Sequence, residues 1–302
     1  MKILERAFWI GLLTGMVYWF WRYISPRHST LVLENRVVVV TGASSGLGQA
    51  LAVAFARRGA RVVLVGRQPE RLEVVHREIE PYATAVLTIV ADITRYEERQ
   101  RVIDETLSAF SGIDVLVNGA GIAVGGLLPD HSPEQIQDII DTNLTSAIVL
   151  TRDVLSLAML PQNHGSIVNI GSGMGRTGVP AFSPYVASKY GLSGFSDSLR
   201  RELAGTGIQV MLVLPGWVRS GIVTFDVEQA IRFFRTYAVD TAETVAEEIV
   251  EGLVQGRNEL VLGGWFERLG LKIERYAPWL ATRYWVWMKN NTPWVSMARK
   301  ID

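Results

Sequence analysis

A chain of 302 residues suits one large domain or two small ones, and 48% hydrophobic against 20% charged residues is enough to bury a substantial core. Thirty Lys and Arg balance thirty Asp and Glu with no block of like charge, which argues against a nucleic-acid surface. The absence of cysteine excludes disulfides, cysteine nucleophiles and thiolate metal sites, and the four histidines (His28, His76, His131, His164) show no ligand spacing, so no protein-built metal site is expected.

The N-terminus stands apart. From Ala7 to Trp21 the chain reads AFWIGLLTGMVYWFW without a charge, with Lys2 and Arg6 before it and Arg22 and Arg27 after it. A membrane-spanning helix takes about 20 apolar residues, with a lower limit of roughly 17. The run reaches that span if Tyr23 and Ile24 are counted and Arg22 snorkels toward the headgroups. Bulky residues follow it where a cleaved signal peptide would place small ones. Trp and Tyr crowd its C-terminal side as in an interfacial aromatic belt. Residues 1–28 therefore read as a hydrophobic anchor with its linker, the protein being membrane-associated through it. A core helix and a cleaved signal are the alternatives. Basic residues at both ends leave orientation open.

After a polar, helix-breaking linker at 25–30, strand and helix patterns alternate. Short strands rich in Val, Ile and Leu are predicted at 36–40, 61–65, 85–90, 115–117, 166–170, 209–214 and 259–262. Helical periodicity falls at 48–58, 70–80, 96–110, 133–160, 183–203 and 242–255. Continuous Val/Ile/Leu strands joined by helices imply a parallel sheet covered on both faces. Residues 29–262 thus form one α/β, doubly wound, Rossmann-type domain. From Gly263 the composition shifts: residues 263–302 interleave aromatics with Arg and Lys. That extension suits either an amphipathic hairpin resting on a membrane or a segment packed on the domain or on a partner subunit.

Two motifs carry chemistry. The first turn reads Thr41-Gly42-Ala43-Ser44-Ser45-Gly46-Leu47-Gly48, between a strand and a helix. Glycines there let backbone approach a pyrophosphate, and the helix N-terminus adds N–H groups and positive potential. The same glycines also suit a plain tight turn. In Tyr185-Val186-Ala187-Ser188-Lys189, a spacing of four places Tyr185 and Lys189 on one helix face. A free tyrosine has a pKa near ~10. A neighbouring ammonium favours the phenolate, making Tyr185 a usable general acid/base.

Together these motifs resemble the short-chain dehydrogenase/reductase family over about residues 34–262. Ser172, in Asn169-Ile170-Gly171-Ser172, precedes Tyr185 by the family's thirteen positions. Asn143 in Asp141-Thr142-Asn143-Leu144 stands where the family places its helix Asn. Asn118-Gly119-Ala120-Gly121 is similar to the family's Asn-Asn-Ala-Gly, with Gly119 in place of the second Asn. Pro215-Gly216 follows the sixth strand as in the family, and Ser220 falls where a Thr or Ser contacts the nicotinamide amide.

The resemblance implies a catalytic set of Ser172, Tyr185, Lys189 and Asn143. Tyr185 would exchange the proton with the reacting oxygen. Lys189 would lower its pKa and hold the nicotinamide ribose. Ser172 would stabilise the oxygen, and Asn143 would hold a relay water. Gly42, Ser44, Ser45, Gly46, Leu47, Gly48, Asp92, Asn118, Ala120, Gly121, Pro215, Gly216 and Ser220 would bind the dinucleotide, with Asp92 on the adenine. At the end of the second strand, Val65-Gly66-Arg67-Gln68 offers Arg67 and no acid. A guanidinium suits a 2′-phosphate, so NADP(H) is expected in preference to NAD(H), with Glu70 the alternative ribose partner.

The expected activity is hydride transfer between a nicotinamide and a ketone, aldehyde or alcohol. A non-catalytic dinucleotide sensor of the same fold is the alternative. Residues 217–237, with Trp217, Ile222, Val223, Phe225, Ile231, Phe233, Phe234 and Tyr237, suggest an apolar lid and a lipophilic substrate: steroid, retinoid, long-chain or sphingoid ketone. Homodimer and homotetramer both stay open.

Overall fold

The computed structural model describes residues 31–219 and 239–299, with positions 9, 11 and 14–16 near the N-terminus. The anchor expected at 1–28, Ser220 and all of the 217–237 stretch beyond Arg219 lie outside the described residues, apart from those few N-terminal positions.

Seven parallel strands form the main sheet: β1 (Val37–Thr41), β2 (Arg61–Gly66), β3 (Ala85–Val90), β4 (Val115–Asn118), β5 (Gly165–Ile170), β6 (Ile208–Leu214) and β9 (Glu259–Val261). Their order is β3-β2-β1-β4-β5-β6-β9. A separate parallel pair, β7 (Val218–Arg219) and β8 (Asp240–Thr241), joins the two ends of the stretch between them.

The apolar strand sequences follow from burial on both faces. In β1, Val38 and Val40 pack with α1 (Gly46–Ala56), α2 (Pro69–Ile79) and α6 (Ala242–Val254), through residues such as Phe55, Leu72 and Ile249. Val37 and Val39 point the other way, toward α3 (Tyr96–Phe110), α4 (133–162) and α5 (Ser183–Glu202), through Ile103, Leu150 and Leu199. With water kept from both faces of the central strands, those strands need no polar alternation.

α4 is one continuous rod, Pro133–Gln162, widened into π-helical turns at Asp141–Thr145 and Leu155–Met159. It is long and apolar enough to cross a membrane. Yet Ile139, Leu150, Val154, Ala158 and Met159 are all buried, so packing against the sheet accounts for its composition. Such widened turns recur at functional sites, and the first of them carries Asn143.

The chain runs from β1 outward to β2 and β3, then crosses back to β4 on the other side of β1. This reversal opens a crevice beyond the carboxyl ends of β1 and β4, where open α/β sheets bind ligands. The C-terminal extension then returns over that end as three helices: α7 (Trp265–Tyr276), α8 (Pro278–Asn291) and α9 (Trp294–Ala298). Met288, Trp294 and Ala298 pack with Val179, Ala181 and Phe182, in the loop that precedes α5.

Candidate active site

A cavity of about 580 Å³ occupies the crevice. At one end is the glycine turn, whose Gly42, Ser44, Ser45, Leu47 and Gly48 all line it. Gly42 has φ +72°, and a Cβ there would sit 2.8 Å from the Ala120 Cα. Gly48 packs onto the Gly42 carbonyl so closely that a Cβ would overlap it. The turn is thus pressed between β1 and the loop after β4. Thr41 holds the two together: its hydroxyl donates to the Val117 carbonyl (3.1 Å) and accepts the Gly119 and Ala120 N–H groups (3.0 and 3.3 Å). Ser45 is the N-cap of α1 but makes no side-chain cap bond. The first turn of that helix is thus without a side-chain cap where Ser45, Leu47 and Gly48 line the cavity.

Arg67 and Asp92 line the same end, and so does Arg71. Burial works to raise the Asp92 carboxyl, but hydrogen bonds from the Thr94 N–H and hydroxyl, with Arg67 and Arg95 nearby, hold it below the usual carboxylate value. Arg71 is a residue the sequence reading missed. Its place in the first turn of the helix that follows Arg67 was the available signal. Glu70 is not among the residues lining the cavity.

Ser172, Tyr185 and Lys189 meet at the other end. Ser172 follows β5 and caps a short turn, accepting the Met174 N–H at 3.1 Å. Tyr185 and Lys189 lie one turn apart on α5, as their spacing required, with the Lys189 Nζ 5.7 Å from the Tyr185 ring centroid. That Nζ also donates to the Ile170 carbonyl at 2.9 Å. Burial pushes the Tyr185 phenol above its ordinary value, with a hydrogen bond to Ser172 pulling the other way. Burial also pushes the Lys189 ammonium down to about 8. The net shift of Tyr185 is opposite to the expected lowering, because desolvation of a buried phenol outweighs its hydrogen bond with Ser172.

Three of the expected site residues, Asn118, Asn143 and Gly46, do not line the cavity. Asn118 does not line the cavity: its amide donates to Thr151 (2.9 Å) and Asn169 (2.8 Å). Asn169 in turn donates to Ser196 at 2.9 Å. This buried ladder, which the sequence reading missed, ties β4 and β5 to α4 and α5. Asn143 also stands off the cavity. Its amide accepts from the Ile122 N–H (2.8 Å), and donates to the Ile122 carbonyl (2.9 Å) and the Ser188 hydroxyl (3.1 Å). Gly46 opens α1 (φ +55°) and likewise is not in the lining. Ala120, Gly121, Pro215 and Gly216 do line the cavity.

The C-terminal extension supplies its remaining wall, through Phe266, Ile273, Leu280, Tyr284 and Trp285. Trp294 is buried against Phe182, Trp217 and Trp285, its indole N–H donating to the Pro180 carbonyl at 2.8 Å. Trp265, Tyr276, Trp279 and Trp287 face outward and are exposed. The extension thus packs on the domain with one side and presents aromatics on the other.

Comparisons with known proteins agree with this geometry. The profile of the short chain dehydrogenase family matches residues 36–230. The chain is 33% identical to the ketoacyl reductase HetN of Nostoc sp. over 76% of its own length and 79% of that protein. It is 32% identical to dehydrogenase/reductase SDR family member 7B of Bos taurus, over 83% and 80% of the two chains. An actinorhodin polyketide ketoreductase variant crystallised with NADPH superposes with a TM-score of 0.70 at 31% identity, covering 76% of this chain and 95% of that one.

The depressed Lys189 value predicts a pH signature. Below about pH 8, folded and unfolded chains both hold the proton, and the whole cost of burying the charge is present. Between about 8 and 10.5 the unfolded chain keeps a proton that the folded one releases, so this group's contribution to stability rises with pH. Lys189→Met removes that rise. In urea unfolding without added nucleotide, the variant should gain on the wild type at pH 7, and the gap should narrow toward pH 10. A gap independent of pH would contradict the shift.

Proposed function

The chain belongs to the short-chain dehydrogenase family of oxidoreductases, and from that premise we propose that it reduces a lipophilic ketone or aldehyde, or oxidises the matching alcohol, with NADP(H) preferred over NAD(H). The observation that carries the reading is the single cavity joining an uncapped helix N-terminus and Arg67 at one end to Ser172, Tyr185 and Lys189 at the other.

Those residues fit a nicotinamide dinucleotide. Gly42, Ser44 and Ser45, with the N–H groups of α1, would hold its pyrophosphate. Asp92 would contact the adenine, and Arg67 with Arg71 would hold a 2′-phosphate. Lys189 would hold the nicotinamide ribose, and Pro215 and Gly216 would border the ring. When bound, the dinucleotide supplies the hydride chemistry.

The side chains supply the proton and the geometry. A phenol held above its ordinary value stays protonated at neutral pH, so Tyr185 stands ready to donate to a carbonyl oxygen as that oxygen becomes an alkoxide. Ser172, hydrogen-bonded to the same phenol, would donate to that oxygen as well and fix where it sits. The Asn143 amide, bonded to Ile122 and Ser188, would also position the loop after β4 against α5. The apolar walls Val179, Phe182, Ile273, Leu280 and Trp285 support a lipophilic substrate.

Membrane attachment belongs to the same proposal. The apolar run at 7–21 would anchor the chain. The exposed Trp265, Tyr276, Trp279 and Trp287, among Arg268, Lys272, Arg275 and Arg283, would lie at the interface.

Tyr185→Phe keeps the ring and removes the proton, so kcat for ketone reduction should fall about 10²–10⁴-fold while nucleotide affinity changes little. Retention of more than about a tenth of kcat would show that another group is the acid. Titration by fluorescence should give tighter binding of NADPH than of NADH, and Arg67→Asp should reverse that order. Equal affinity in the wild type would remove the basis for the NADP preference. Deleting residues 1–28 should release only part of the protein from membranes, and turnover of a bilayer-dissolved ketone should fall more than that of a short soluble one. Full-length protein that is wholly soluble without detergent would contradict the anchor.

A further inference from the structure

Helix α7 lies across the open side of the cavity and is held near both ends. Towards its start, the Glu267 carboxylate accepts the Trp217 N–H at 3.3 Å and the Gly264 N–H at 2.5 Å, joining the helix to the turn after β6. Two turns on, Glu274 accepts the Thr177 hydroxyl at 2.7 Å, joining the helix to the loop after Ser172. Gly216 and Gly263 leave the room that the Glu267 carboxylate occupies, since a Cβ on either would crowd it.

Glu267, Gly270 and Glu274 are three and four residues apart, so they share one helix face. Phe266 and Ile273 flank that face, and both line the cavity. At its centre stands Gly270, which lines the cavity too. Among the described residues, a Cβ built on Gly270 meets no atom within 4 Å. Its φ is not in the left-handed region, and no neighbouring backbone approaches it closely. Glycine is among the poorest helix formers, and neither backbone conformation nor packing requires it here. What its missing side chain leaves is open cavity.

We infer that Gly270 is a specificity-determining residue, whose missing side chain makes the space that admits the bulky apolar part of the substrate. Glu267 and Glu274 are positioning residues that hold this opening over the site. The inference rests on the proposed reduction of a lipophilic carbonyl compound and narrows it to substrates with bulk beside the reacting carbon.

The test is Gly270→Leu in the full-length, detergent-solubilised protein, with cyclohexanone and a fused-ring steroidal ketone as probes and NADPH as reductant. The leucine should lower kcat/KM for the steroidal ketone by about tenfold or more, the scale on which a hydrophobic pocket discriminates size. Turnover of cyclohexanone and the affinity for NADPH should stay close to wild type. Steroidal turnover that survives, or an equal fall for both ketones, would overturn the inference. Thermal unfolding gives a readout independent of any reaction. A leucine entering open space exchanges a poor helix former for a good one, so Tm should hold or rise. A clear drop in Tm would mean that the side chain collides, and would overturn the geometry even if wild type reduced neither ketone. Absence of wild-type turnover with an unchanged or higher Tm would instead count against the proposed reaction.

Discussion

Burying a phenol and an ammonium side by side is the constraint around which this structure is organised. Water would favour the charged forms of both Tyr185 and Lys189, and its removal pushes each toward the neutral form. Such a pair persists only where other groups replace the lost solvent. The Ile170 carbonyl takes the Lys189 ammonium, and the Ser172 hydroxyl meets the Tyr185 phenol. Both partners stand at the carboxyl end of β5, so the site is only as well placed as α5 is against that strand. The Asn118–Asn169–Ser196 ladder fixes that relation from within the core. Asn143, in the widened turn of α4, fixes it from the other side through Ser188.

The rest of the cavity follows from sheet topology. A parallel sheet covered on both faces can expose backbone to a ligand only at its ends, and the reversal between β2–β3 and β4–β5 opens the carboxyl end at β1 and β4. Thr41 clamps the loop after β4 onto the glycine turn, leaving the uncapped end of α1 aimed into the gap. Arg67 and Arg71 therefore stand at one end, while Ser172, Tyr185 and Lys189 stand at the other. The C-terminal helices close the apolar remainder between them.

How much of this the sequence disclosed depended on the range of the interaction involved. Strands buried on both faces announce themselves as continuous Val/Ile runs, so all seven strands of the main sheet were legible within a residue or two. Tyr185 and Lys189 were legible because a spacing of four means one helix face. Arg67 was legible because it ends a strand. The core bonds of Asn118 were not legible, because its neighbours Ala120 and Gly121 face the cavity while its own side chain turns inward to Thr151 and Asn169, partners 33 and 51 residues away. The place of Trp294 was not legible, because an aromatic in this extension carries the same local pattern whether it meets lipid or Phe182. Glu267 and Gly270 were missed altogether: their meaning arises only when α7 folds back across Gly216 and Thr177, a contact with no local signature.

The central claim is that this cavity moves a hydride between a nicotinamide and a carbonyl carbon, with Tyr185 supplying the proton. Reduction of a lipophilic ketone with NADPH carrying deuterium at one face of C4, followed by mass spectrometry of the alcohol, tests it most directly. The account predicts deuterium on the carbinol carbon from one of the two C4-labelled isomers only, with none from the other and none from heavy water at that carbon. Carbon-bound deuterium acquired from solvent, or no nicotinamide-derived label in the product, would contradict it.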